Sequence, residues 1–173
     1  MLVDMGPPAV EPSTPAPKLP AIVNAHLTNP FDYFTQSDGR KGYFFTTPSG
    51  KWSCAILPHE KAGCQAAGGK TTLEIAGAPK SAPNSNGEPG PVNAIAITTT
   101  GDARFESLHD ADFRLVPGPA KTLPFNKILA AAGFRCNVQD AGVSCGSEST
   151  ANGFSFSAGG YSLNYTEVPA NAP

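Results

Sequence analysis

Short runs of β-branched, aromatic and aliphatic residues alternate with turn sequences along most of this chain. Turn-forming groups such as "SDGRKG" and "PSG" separate runs that are mostly five to seven residues long. The runs are YFFTT, KWSCAIL, TTLEIA, VNAIAITTT, ARFESL, FRLV, FRCNV, GVSC, GFSFS and YSLNY. This pattern predicts an all-β fold, a small sandwich or barrel of short antiparallel strands.

One segment is compatible with either a helix or a strand. The run "KILAAA" at 127–132 has helical composition, with Pro124 before it and Gly133 after it. It is also compatible with a strand that leads directly into "GFRC".

The composition divides the chain into three parts. Residues 6–20, "GPPAVEPSTPAPKLP", contain six prolines and little apolar bulk, so this stretch stays extended and cannot pack a core. We predict a flexible Pro-rich spacer at 1–28, a disulfide-stabilised β domain at 29–168 and a C-terminal tail at 169–173. The alternative for the first part is a disordered terminus. The polar loop 78–91 is predicted to be an exposed insertion, functional or, as we favour, dispensable.

Two pairs of cysteines fall within predicted hairpins. If Cys136 faces Cys145, Val138 faces Val143, and alternation along the strands separates sulfur and apolar groups from polar ones. One face then carries Phe134, Cys136, Val138, Val143 and Cys145, and the other carries Arg135, Asn137 and Ser144. In the first hairpin, Cys54 would face Cys64 and Ile56 would face Ala62.

The cysteine spacing separates the possible chemistries. Zinc ligand pairs usually lie two to four residues apart, whereas these pairs enclose nine and eight residues. The Cys-x-x-Cys of a redox site is absent. Two local disulfides, Cys54–Cys64 and Cys136–Cys145, are therefore favoured over crossed bridges, a metal site or free thiols. Bridges of this kind favour an oxidising compartment.

Charge and hydropathy exclude several partners. Only 15% of residues are charged and the net charge is −2, so no basic surface for nucleic acid is expected. No apolar run is long enough for a transmembrane helix. The opening "MLVDMGPPAV" lacks the basic start and apolar stretch of a signal peptide, so any membrane contact would need an N-terminal anchor missing from this sequence.

Two motifs resemble a known family. "FFTTPSGKWSCAI" and "FRCNVQDAGVSCGSESTANGFSFSAGGYSL" are similar to the two ends of a family of small exported actinobacterial proteins of unknown function. The match lies on Pro48, Ser49, Gly50, Cys54, Cys64, Cys136, Gly142, Val143, Cys145, Gly153 and Phe154. Lys51 departs from the asparagine common in the family. The resemblance implies an extracytoplasmic location, secreted or tethered to the envelope as in lipoproteins, and supplies no activity.

Catalytic motifs are scarce. His26 is expected at the surface, His59 lies in a hairpin turn, and His109 adjoins an acidic group. That group, Asp102, Glu106, Asp110 and Asp112, is compatible with a weak cation site, but it matches no calcium-loop spacing and an exposed acidic turn explains it as well. Gly-x-Ser-x-Gly is absent, and neither Gly-Gly stretch forms a phosphate loop. We therefore expect no cofactor, no metal and no catalytic residue.

Aromatic residues give the remaining functional signal. Tyr33, Tyr43 and Phe45 are candidates for an exposed row that binds a polysaccharide, a lipid or a protein. The alternative is that the spacer or the next strand covers them.

Three functions are compatible with these features. The leading hypothesis is a non-catalytic extracytoplasmic module of the cell envelope that binds a protein partner or an envelope ligand. The second is a hydrolase acting on envelope material, which needs His59 or His109 beside a Ser or carboxylate in a cleft. The third is a secreted effector or inhibitor with a rigid protruding loop such as 78–91.

Overall fold

The computed structural model describes residues 18–37, 39–68 and 70–173. The predicted strand content is confirmed: the described residues contain no α-helix and two short 3-10 helices, Asn24–His26 and Pro30–Tyr33. No described helix has the length and apolarity needed to cross a membrane. Residues 1–17, most of the predicted spacer, lie outside the described part of the chain.

The strands are β1 Phe34–Ser37, β2 Arg40–Thr46, β3 Trp52–Leu57, β4 Lys61–Ala66, β5 Ser81–Pro83, β6 Pro89–Pro91, β7 Ala94–Thr98, β8 Arg104–Glu106, β9 Lys127–Ala131, β10 Phe134–Gln139, β11 Gly142–Ser147, β12 Gly153–Ser157 and β13 Gly160–Ser162.

The strands form two main antiparallel sheets that face each other. The six-stranded sheet has the order β1-β2-β3-β4-β7-β8, and the five-stranded sheet has the order β13-β12-β11-β10-β9. Strands β5 and β6 form a separate two-stranded hairpin. Strands β3, β4 and β7 contact β10, β11 and β12 across the interior, which makes the fold a sandwich.

Both cysteine hairpins have the predicted register. Cys54 pairs with Cys64 and Ile56 with Ala62 in β3–β4, while Cys136 pairs with Cys145 and Val138 with Val143 in β10–β11. The two local disulfides are confirmed, and no described cysteine is free. All four cysteines are fully buried in one core cluster between the sheets. Each bridge therefore joins neighbouring strands at the centre of the sandwich.

Aromatic side chains fill the rest of the interior. Phe45, Phe134 and Phe154 are fully buried. Trp52 packs edge to face on Phe156, with ring centroids 4.9 Å apart, and donates its indole N–H to the Leu73 carbonyl at 2.9 Å. This bond satisfies the polar group of a buried tryptophan.

Several sequence assignments differ from the structure. The runs "TTLEIA" and "FRLV" were predicted as strands but adopt irregular backbone. Their apolar residues Leu73, Ile75 and Phe113 are nevertheless buried. The apolar pattern of these two runs therefore indicates core packing and not strand pairing. Residues 127–131 form strand β9, because the turn at Ala132–Gly133, with both φ angles positive, folds β9 onto β10.

The outer face of the six-stranded sheet is covered by residues 108–120, here called the covering loop. The sheet presents small residues on this face, and Phe113 of the loop packs fully buried among them. A Cβ added to Gly63 would lie 2.6 Å from the Phe113 ring. The small side chains Ala55, Ala94 and Ala96 lie beside it, and the larger Phe44 and Leu57 belong to the same buried cluster. Small outward-facing residues thus make room for the loop.

The outer face of the five-stranded sheet is covered by a polar network. Its polar face was predicted correctly, but Arg135, Asn137 and Ser144 are buried, because residues 163–168 lie across them. Asn137 donates to the Tyr165 hydroxyl at 3.0 Å, and that hydroxyl donates to Glu167 at 2.7 Å.

Residues near the start of the described chain also join the sandwich. The Thr28 amide donates to the Ile128 carbonyl at 3.0 Å, alongside the edge strand β9. Arg135 donates to the Pro20 carbonyl at 2.5 Å. Residues around Pro20 and Thr28 and the segment 163–168 therefore lie against the five-stranded sheet.

The Tyr165 network gives a pH prediction. Burial, followed by the hydrogen bond to Glu167, raises the pKa of the Tyr165 phenol well above its ordinary value. A raised pKa means that folding favours the neutral phenol, so this stabilisation is complete below about pH 10 and is lost as the pH rises further. We expect the free energy of unfolding of the native chain to fall between about pH 9 and about pH 11 more steeply than that of Tyr165→Phe.

Urea denaturation at the two pH values measures this difference. Tyr161→Phe, which removes the hydroxyl of an exposed side chain, is the control and should keep the native slope. Equal slopes for the native chain and Tyr165→Phe would show that Tyr165 is not linked to folding in this way.

Candidate functional site

The predicted aromatic row does not form an exposed surface. Tyr33 and Phe45 are 4% and 0% exposed, so their assignment as surface binding residues is wrong. Phe45 lies on β2 between β1 and β3, on the face that packs against the second sheet. Tyr43 is half-buried and packs against Phe34, with ring centroids 5.2 Å apart. The row is therefore covered, as the alternative predicts, but Phe45 is covered by the second sheet and Tyr43 by Phe34 of β1, not by the spacer or the next strand.

The histidines lie apart from every described cavity. His59 and His109 are exposed, and His59 occupies the β3–β4 turn with φ of 56°. Neither lines one of the five cavities. His26 is buried, contrary to the surface position expected for it, and its Nε2 has no hydrogen-bond partner among the described residues.

The acidic group does not gather at one point, although Asp110 and Asp112 line one cavity and Glu106 and Asp112 line another. Asp112 pairs with Lys61 at 2.9 Å, while Asp102 accepts from Asn152 at 3.1 Å on the other sheet. Glu106 lies on β8 near Arg104. No cluster of three or more metal-ligating side chains occurs within the ranges the structure describes.

A groove on the outer side of the six-stranded sheet is the best-formed candidate site. Its volume is about 600 Å³, within the range of small-molecule sites. The ends of β2 and β3 form its floor, and the covering loop forms one wall. Fourteen described residues line this groove: Thr46, Thr47, Pro48, Gly50, Ser53, Ala67, Gly68, Arg114, Leu115, Val116, Gly118, Pro119, Ala120 and Thr122.

The Pro-Ser-Gly motif builds one rim of the groove. The Gly50 amide donates to the Thr47 carbonyl at 2.9 Å, and the Thr47 amide donates to the Trp52 carbonyl at 3.1 Å. Gly50 has φ of 75°, a conformation that glycine adopts without strain. The motif therefore closes a tight β2–β3 turn whose Pro48 and Gly50 face the groove.

Hydrogen bonds hold the covering loop at both ends. At one end, Arg40 donates to the Ala111 and Asp112 carbonyls at 3.0 and 2.6 Å. At the other end, the Thr46 amide donates to the Lys121 carbonyl at 3.0 Å, and the Thr46 hydroxyl donates to the Ala120 carbonyl at 3.1 Å. The groove is therefore preformed, which lowers the entropic cost of binding.

Gln65 fixes the middle of the covering loop. Its side-chain amide donates to the Asp110 carbonyl at 2.8 Å and accepts from the Phe113 amide at 3.2 Å. Because Gln65 is buried on β4, this bond pair sets the loop register next to Arg114.

The only charged side chain among the described residues that line the groove is positive. Arg114 is the single charged residue among the fourteen, and no described carboxylate forms an ion pair with it. Its Nε is buried without a hydrogen-bond partner. Its Nη1 lies 3.0 Å from the position that a Cβ on Gly68 would occupy. Glycine at 68 therefore leaves room for the guanidinium.

A second cavity adjoins the groove. It has a volume of about 430 Å³ and shares Arg114, Leu115 and Val116 with the groove. Asp110 and Asp112 line it, so its charge is mixed. The site contains hydroxyls, an apolar wall and one arginine, a set of groups suited to binding.

Sequence reasoning did not find this groove. The apolar pattern assigns Arg114 to a strand, and the Pro-Ser-Gly motif predicts only a turn. The sequence "RLVPGPA" at 114–120 is the local signal, because two prolines and a glycine after apolar residues indicate an extended, irregular wall. What it packs against depends on distant strands.

Comparisons of this chain with protein-family models, with curated proteins and with solved structures found no match.

Proposed function

We propose that this chain is a non-catalytic, extracytoplasmic module of the cell envelope, and that it binds an envelope ligand in the groove beneath the covering loop. The observation that carries the proposal is the preformed groove of about 600 Å³ with a single uncompensated arginine. His59 and His109 are exposed and line none of the five described cavities, which argues against the hydrolase alternative.

Two features support the extracytoplasmic location. The two disulfides are consistent with an oxidising compartment. The resemblance to small exported actinobacterial proteins, carried by the Pro-Ser-Gly segment and by Cys136 followed by Gly142-Val143-x-Cys145, points the same way. Alkylation of thiols in intact cells, followed by non-reducing mass spectrometry, should find all four cysteines protected as bridges. Free thiols at all four would remove the case for export.

A groove variant tests the binding proposal. Val116 is 58% exposed and lines both the groove and the adjoining cavity, so Val116→Asp should fold while it changes the site. Leu163→Asp is the matched control, because Leu163 is 48% exposed and lies outside the groove.

The immobilised proteins would be incubated with a detergent-solubilised envelope extract, and retained small molecules would be identified by mass spectrometry. We expect the native chain and Leu163→Asp to retain the same compound and Val116→Asp to lose it. Retention by all three proteins would place binding elsewhere, and retention by none would contradict the proposal.

One observation favours the inhibitor alternative. The loop 78–91 contains the hairpin β5–β6, whose turn is ordered by Asn84. The Asn84 carboxamide oxygen accepts from the amides of Asn86 at 2.9 Å and Glu88 at 3.0 Å. The tip is exposed, so it has the form expected of a rigid contact loop.

Asn84→Ala should loosen this tip alone. Loss of two side-chain hydrogen bonds at an exposed turn should lower local stability by about 1 kcal/mol, with little change in the melting temperature of the sandwich. Limited proteolysis should then cut within 84–88 faster than in the native chain. Asn86→Ala, whose side chain makes neither bond, is the control. Equal cleavage of all three proteins would show that Asn84 does not order the turn.

A further inference from the structure

Arg114 has a local environment unlike that of the other well-positioned arginine in the fold. The guanidinium of Arg135 is bonded by two carboxylates, whereas the Nε of Arg114 is buried with no partner. A cation with a buried, unpaired donor is unfavourable, because desolvation is not offset by hydrogen bonds. Because Nε itself is closed to solvent, an anion bound in the groove would bond to the terminal nitrogens Nη1 and Nη2, which have no hydrogen-bond partner among the described residues either.

The surroundings of Arg114 favour one kind of anion. A guanidinium binds a carboxylate with matched planar geometry, and one arginine balances one negative charge. A phosphate dianion would leave a charge uncompensated, since no other cation lines the groove among the described residues. The site therefore matches a monocarboxylate.

The wall beside Arg114 is apolar. Leu115, Val116, Pro119 and Ala120 follow it along the covering loop and line the groove. The adjoining cavity carries Asp110 and Asp112 beside Arg40 and Arg114, so it offers no net positive charge to a carboxylate. A bound chain would therefore extend from Arg114 along the Leu115–Ala120 wall.

We propose that the groove binds a medium-chain carboxylate, with the carboxylate on the Arg114 guanidinium and the apolar chain against the Leu115–Ala120 wall. This inference rests on the proposed function, because it names the ligand class of the same groove. Decanoate is the probe, and decanol is its uncharged counterpart.

Calorimetry measures the affinity for decanoate and decanol, and nuclear magnetic resonance independently reports whether Arg114 is contacted. We expect decanoate to bind at least tenfold more tightly than decanol, because the charge-assisted hydrogen bonds exist only for the carboxylate. The Arg114 Nε–Hε resonance should shift on addition of decanoate and stay in place with decanol. Decyl phosphate is a third probe, expected to bind more weakly than decanoate.

Three variants locate the contact. Arg114→Gln should weaken decanoate binding about tenfold to a hundredfold, the range for loss of a charged hydrogen-bonding partner. Gly68→Ala should also weaken it, because the added Cβ would lie 3.0 Å from Nη1 and displace the guanidinium. Lys80→Gln removes the same charge at an exposed position outside the groove and should leave binding unchanged.

Equal affinities for decanoate and decanol, with both lost in Val116→Asp, would overturn the carboxylate inference while the groove kept its role as a binding site. Stronger binding of decyl phosphate than of decanoate would replace the carboxylate by a phosphate and overturn the inference. Equal weakening by Arg114→Gln and Lys80→Gln would show nonspecific attraction. Absence of binding by any probe overturns the inference, and the envelope-extract experiment then decides the proposed function separately.

Discussion

Replacing Arg135 by methionine should lower the free energy of unfolding by about 3 to 5 kcal/mol, the range for breaking a buried ion pair. The Arg135 side chain is 7% exposed and donates to Glu148 at 2.8 and 2.6 Å and to Glu167 at 2.6 Å. Without it, Glu167, 13% exposed, would remain as a buried charge without its cation. The same change removes the bond to the Pro20 carbonyl, so residues 18–28 and residues 163–168 should both loosen.

Arg104→Met provides the matched comparison. Arg104 is 69% exposed and lies 3.6 Å from Glu106, so its loss should change stability by less than about 1 kcal/mol. Urea denaturation followed by fluorescence gives both values. Hydrogen exchange of residues 18–28 and 163–168 should rise in Arg135→Met alone. Equal losses in the two variants would show that the Arg135 network contributes no more than a surface pair.

Removing the second disulfide should have the next largest effect. Cys136→Ala with Cys145→Ala opens a closed loop of about ten residues, for which the chain-entropy model gives about 3 kcal/mol. Loss of buried sulfur between the sheets adds to this value, since both cysteines are 0% exposed.

Denaturation with and without dithiothreitol measures the contribution of both bridges. The native chain should lose stability on reduction, and the variant should lose only the share due to Cys54–Cys64. A quadruple alanine variant, insensitive to the reductant, is the control. If reduction leaves the native chain unchanged, the bridges do not stabilise the sandwich.

The sequence predicted the centre of the fold well, because local pairing determines it. The alternation around Cys136 and Cys145 defined the strand faces and the register, and hairpin register depends only on residues close in sequence. The same reasoning found the Cys54–Cys64 pair.

The outer layers were not predictable in the same way. Arg135 was correctly placed on a polar face, but its burial depends on Glu167, which is 32 residues away. Phe113 was assigned to a strand because an apolar residue looks the same in a strand and in a packed loop. Its position depends on small residues from β3, β4 and β7, which meet only in the folded sheet.

The candidate site combines both kinds of information. The Pro-Ser-Gly turn was identified from the sequence, and it forms the rim of the groove. The sequence does not identify Arg114, because whether an arginine has a carboxylate partner depends on which residues the fold brings near it. The expected aromatic surface failed at Tyr33 and Phe45 because both side chains complete the core.

Amide resonance mapping in the presence of the small-molecule fraction of an envelope extract tests the central claim most directly. If the groove is the binding site, shifts should concentrate on Thr47, Ser53, Gly68, Val116 and Gly118, and they should disappear in Val116→Asp. Shifts confined to 84–88, or no shifts at all, would contradict the account of this chain as a module that binds its ligand beneath the covering loop.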